Sequence, residues 1–154
     1  MRILALDLAT QLGWAWRILD VTDSGTISFK PRNGESPGMR FLNFEGWLRE
    51  MIKEYEFDVI AYEQAHLRGA AATEVIVGMI VILKKLCAEY GLEYTDRHTG
   101  TIKKFATGYG KASKQDMIDA ASVRFLSQDI EDDNQADALH LLALVVHDLT
   151  GEEI

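Results

Sequence analysis

The chain has 154 residues, 47% of them hydrophobic and 26% charged, which suits one cored domain over residues 1–154 and excludes both disorder and a second full core. A net charge of −8 excludes a protein that coats polyanions over its whole surface. The single cysteine, Cys87, has no partner for an internal disulfide, and the longest apolar run, residues 75–83, falls far short of the roughly 20 residues of a membrane span. With an acid at Asp7, too early for a secretory signal, these features predict a soluble cytoplasmic protein.

Residues 2–9 are mostly apolar and contain that acid, so they read as a buried strand. Residues 13–16 and 25–29 follow, with turn residues between them that include Asp23, Ser24 and Gly25, and predict an antiparallel three-strand meander. After a loop over 32–38, Phe41, Phe44, Leu48, Met51 and Tyr55 recur at helical spacing. Residues 58–63 form a short strand ending at Glu63. A helix over 70–90, stopped by Gly91, is apolar on nearly all sides between Val75 and Leu83. Such a helix needs cover on both sides, in a domain this small from a second copy of itself. Residues 92–95 predict a further strand. Ser113 and Asp116 have the spacing of a capping box before Met117, Ile118, Ala121 and Phe125. The closing helix runs over 134–149 with Gly151 as its stop. The order βββ-α-β-α-β-α-α predicts an α/β fold, a mixed five-stranded sheet with helices on both faces.

Three acids stand at element ends: Asp7, Glu63 and Asp137, the last with Asp133 four residues before it on the same helix face. Each has a bland role open to it, Asp7 in a turn, Glu63 in a salt bridge, Asp132 or Asp133 as a helix cap. Their conjunction is the signal. Neighbouring strands lie about 4.8 Å apart, so strand-end acids can converge, and converged carboxylates repel unless cations sit between them. Oxygen-only sets suit Mg²⁺ or Mn²⁺ rather than zinc, and two such ions about 4 Å apart can hold a phosphodiester and activate water. Between 97 and 114 the chain carries Arg97, Lys103, Lys104, Lys111, Lys114 and His98 without one acid. The run reads either as a solvated face or as a local positive rim for a polyanion on an otherwise acidic protein.

Four stretches carry a resemblance: Leu4-Ala5-Leu6-Asp7 with Gly13; Tyr62-Glu63-Gln64; the lysine- and glycine-bearing run 102–114; and Asp133-Asn134-Gln135-Ala136-Asp137-Ala138-Leu139. In this order and spacing the chain resembles the RuvC-type Holliday junction resolvases of the RNase H-like superfamily, in particular the short versions carried by bacteriophages. The resemblance implies an RNase H-like fold and a homodimer built through the helix over 70–90. It also implies metal-dependent paired incision of four-way and branched DNA, leaving 5′-phosphate and 3′-hydroxyl ends. Carried over by position, Asp7, Glu63 and Asp137 match three of four acids that hold two Mg²⁺ ions, for which Mn²⁺ substitutes. The fourth place falls on Asn134, with Asp133 one residue earlier, and either completes the set. His66 stands where the bacterial enzymes carry an aromatic wedge. With Arg68, Lys103, Lys104, Lys111 and Lys114 it makes up the expected DNA-binding set. Two other readings are a junction-binding protein that does not cut, suggested by Asn134, and a small nucleotide-binding protein of the same fold group. The latter needs a second lobe that 154 residues do not accommodate.

Overall fold

The structure is a computed structural model that describes residues 1–65 and 69–154. β1 (Arg2–Asp7), β2 (Gln11–Ile18) and β3 (Val21–Ser28) form the antiparallel meander. β4 (Val59–Glu63) and β5 (Glu93–Arg97) add in parallel beyond β1, giving the order β3-β2-β1-β4-β5. Five helices occur among the described residues: α1 (Met39–Tyr55), α2 (Ala70–Tyr90), α3 (Thr99–Thr107), α4 (Lys114–Arg124) and α5 (Asp133–Thr150). The α/β class and the mixed sheet between two helical layers are as the sequence predicts.

Strand alternation divides the core. Leu4 and Leu6 of β1, with Ile60 and Tyr62 of β4, pack with Phe44, Leu48, Met79 and Leu83 of α1 and α2. The other face presents Ile3, Ala5, Ala15 and Ala61, and the small alanines let α5 lie close on the sheet. α5 is buried almost continuously from Ala136 to Val146 because α3 and α4 cover its outer side. It follows that α5 is a core helix whose first turn sits over the sheet, and this positions the site.

α2 has the predicted bounds, ending at left-handed Gly91. The Ser113 capping box forms in full, with hydroxyl and carboxylate each bonded to the other residue's backbone N–H. On α2, Met79, Leu83, Leu86 and Cys87 are buried, while Val81 is 61% exposed and Val77 45%. No helix among the described residues is long and apolar enough to cross a membrane.

Three expectations need correction. β1 ends at Asp7 rather than residue 9. The hairpin turn lies at Leu19 and Asp20, with Leu19 at φ 54, and Asp23, Ser24 and Gly25 are inside β3. Those turn-type residues serve packing: a β-carbon on Gly25 would lie 2.9 Å from the Trp14 ring, and the Ser24 hydroxyl donates to Gln128 Oε1 at 2.7 Å. Finally, part of the basic stretch is a helix, α3, which the predicted order lacked. Ile102 buries it and His98 caps it, Nδ1 accepting from the Gly100 N–H.

Candidate active site

The parallel register pairs Leu6 with Tyr62, so one residue further Asp7 and Glu63 stand side by side at the carboxyl ends of β1 and β4. Both follow the alternation of Ala5 and Ala61 onto the face that α5 covers. Asp7 also pairs with Gly13 across β1 and β2, and Gly13 lies directly beneath the Asn134 backbone of α5. The helix start is fixed by Asp132, whose side chain accepts from the Gln135 N–H at 2.9 Å. Gln135, only 3% exposed, donates through Nε2 to Ser24 Oγ and to the Asp129 carbonyl, each at 3.0 Å, and its Oε1 accepts from the Glu131 N–H. Loop, helix and β3 are thereby locked together.

The outcome is one pocket lined by Asp7, Glu63, Asp133, Asn134 and Asp137 together with Lys103, Lys114 and Thr99. Asp137 is half-buried, but its Oδ1 is shut off from solvent and has no hydrogen-bond partner. Burial first, and then the charges of Glu63 and Asp133, push its carboxyl up to about 7, against the pull of Lys103 and Lys114. An orphaned carboxylate oxygen among repelling acids, with only oxygen and amide donors around it, fits a hard divalent cation. Among the described residues no three His, Cys, Asp or Glu side chains close into a ready-made metal cage. Asp133 is instead engaged by the Lys114 ammonium, and Glu63 Oε1 accepts from the Thr99 hydroxyl. The Asn134 amide nitrogen leans on Asp132 Oδ2 at 3.4 Å.

Lys103 reaches the pocket while donating to the Ala112 carbonyl at 2.7 Å; Lys104 and Lys111 are exposed and do not line it. His66 and Arg68 lie outside the described residues. His140 is a core residue, its Nε2 3.0 Å from the Met117 carbonyl, with burial holding its pKa below the ordinary value. Sequence reasoning missed Thr99 and Gln135. Their roles come from strand register and a buried loop contact, for which a single sequence carries no local signal.

No family model matches the chain. The crossover junction endodeoxyribonuclease RuvC of Rickettsia conorii is 28% identical over 125 residues, covering 77% of this chain and 78% of its own. The fold matches Thermus thermophilus RuvC with a TM-score of 0.76 over 99% of this chain and 98% of that one, at 16% identity. T. thermophilus RuvC in complex with a Holliday junction substrate matches at 0.77, over 92% and 90% of the two chains, at 15% identity.

Proposed function

We infer that this chain, a RuvC-type Holliday junction resolvase by sequence and fold, is a structure-selective endodeoxyribonuclease that cuts four-way and other branched DNA by paired hydrolytic incisions. The products are 5′-phosphate and 3′-hydroxyl ends. The observation that carries this reading is the convergence of Asp7, Glu63, Asp133 and Asp137 with Lys103 and Lys114 in one pocket. The whole chain, 1–154, acts as a single nuclease domain in the cytoplasm of a bacterial or phage-infected cell.

Asp7, Glu63 and Asp137, joined by Asp133 or Asn134, would hold two Mg²⁺ ions, with Mn²⁺ as a substitute. When bound, the ions supply Lewis acidity to the scissile phosphate and a lowered pKa to water. The protein's own share is positioning and charge. Lys103 and Lys114 meet the phosphate at the pocket wall, and Lys104 and Lys111 extend the positive rim along the DNA. His66 and Arg68 are assigned to DNA binding by the family resemblance alone. Lys114 engages Asp133 in the free protein, so a DNA phosphate that takes the ammonium releases Asp133 toward Asp137. This exchange favours Asp133 over neutral Asn134 as the fourth acid. A second copy packed on α2, over Val77 and Val81, would set two such pockets against the symmetric strands of a junction.

The test is incubation with end-labelled four-way, forked and linear duplexes in Mg²⁺ or Mn²⁺. Symmetric paired nicks in the four-way substrate are expected. Binding without nicks at every ion concentration would overturn the assignment in favour of a junction-binding protein.

A further inference from the structure

Resting on that reading, we propose that Thr99 is a positioning residue for Glu63, its hydroxyl fixing one carboxylate oxygen so that the other serves the divalent-ion site. Glu63 ends β4 opposite Arg97 of β5, and the Gln64 N–H donates to the Arg97 carbonyl at 3.0 Å, closing the strand pair. Two residues on, the chain has turned into α3, and its first residue stands beside the Glu63 carboxylate. There the Thr99 hydroxyl donates to Glu63 Oε1.

Thr99 is held from both sides. The strand pair fixes Arg97 before it, and the Gly100 N–H after it donates to Nδ1 of the capping His98 at 3.1 Å. Because His98 does the capping, the Thr99 hydroxyl is not consumed by its own helix and is spent on Glu63. The contact has a reason in chain geometry. Glu63 has one more rotatable bond than either aspartate and stands at a strand end, so its carboxylate is the acid most in need of a fixed partner. A neutral donor orients it without neutralising it, and the positive end of the α3 dipole adds to the same preference. Lys103, one turn along α3 on the same face, also lines the pocket. α3 thus delivers an orienting hydroxyl to the acid and a cation to the phosphate from a single short helix.

The experiment compares Thr99→Val, which keeps the shape and removes the donor, with Thr99→Ser, which keeps the donor. Mn²⁺ binding to the DNA-free protein is followed by electron paramagnetic resonance of the free ion, with metal-free melting as the check on folding. Thr99→Val is expected to weaken Mn²⁺ binding roughly tenfold, the size of a lost hydrogen bond to a charged group. The Mn²⁺ concentration for half-maximal junction cleavage should shift in parallel, with the rate at saturating ion far less affected. Thr99→Ser should stay within about threefold of the parent. If Thr99→Val does not fold, Thr99→Ala makes the same comparison. Parent-like Mn²⁺ binding by the donor-free variants overturns the proposal, as does a Thr99→Ser that fails equally, since that places the effect in packing. A parent chain that neither binds Mn²⁺ nor cuts would instead sink the nuclease reading itself.

Discussion

A β-carbon at Gly13 would lie 1.9 Å from the carbonyl oxygen of Asn134. Gly13 is also the cross-strand partner of Asp7, so one glycine couples the strand bearing the first acid to the helical turn bearing the others. Gly13→Ala must push the start of α5 off the sheet, because the obstacle is backbone. The expected cost is about 1–3 kcal/mol of stability by urea denaturation. A displacement near 1 Å at a catalytic group can cost about a hundredfold in rate, so the loss of junction cleavage should far exceed the loss of fold. A folded Gly13→Ala protein cutting at the parent rate would show that the acids do not depend on this contact.

The same contact shows how far the sequence could be read. Asp7 could be singled out as an acid at a strand end and Gly13 through the family resemblance, and the sheet with its two helical layers followed from strands alternating with helices after a meander. α2 and the Ser113 capping box were legible because local chemistry decides them: an apolar run with a glycine stop, and a hydroxyl three residues before an acid. β3 was misread at Asp23, Ser24 and Gly25 because tertiary partners, the Trp14 ring and Gln128, override turn propensity there. α3 was hidden among glycines and lysines. Nine residues make a poor helix alone, and it is the burial of Ile102 and the His98 cap that hold this one. Thr99 meets Glu63 only through the β4–β5 register, which no single residue announces.

Asp137 gives the metal-free protein a pH dependence of defined sign. Its carboxyl is raised from 3.8 to about 7 in the folded chain, so the folded state binds a proton that the unfolded state releases. Metal-free stability is therefore undiminished by this group below its unfolded value of 3.8 and is eroded as pH rises toward about 7. The erosion is on the order of 4 kcal/mol before solvent screening of this half-exposed group reduces it. Asp137→Asn should melt higher than the parent at pH 7 without metal, with the gap closing toward pH 4, while cutting is abolished. Matching pH–stability profiles for the two proteins would mean that Asp137 does not carry this cost.

Asp133 and Asn134 are separable by charge. Asp133 acts on the Asp137 carboxyl and is held by Lys114, whereas the Asn134 amide leans on the capping Asp132. Asp133→Asn should reduce junction cleavage by roughly tenfold or more at limiting Mg²⁺, the worth of one charged ligand contact. Asn134→Ala should cost no more than about threefold, a weak neutral contact. Single-turnover cleavage across a Mg²⁺ titration decides it, and the reverse ranking would give the fourth place to Asn134.

Salt dependence tests the positive rim. A protein of net charge −8 binds DNA only where lysines outweigh that charge locally, so affinity should fall steeply with salt. Lys104 and Lys111 are exposed and engaged with no acid in any ion pair found among the described residues, so Lys104→Gln or Lys111→Gln removes a phosphate contact with little else. Each should lower the slope of log affinity against log salt by about 0.9 for a four-way junction. Lys114→Gln should lower the slope similarly and also leave Asp133 without its ammonium, adding to the repulsion at Asp137. That variant alone should combine a shallower salt slope with weaker metal-free stability at pH 7. Binding titrations at four salt concentrations, paired with melting curves, separate the two effects, and slopes unchanged in all three variants would move the DNA path off this face.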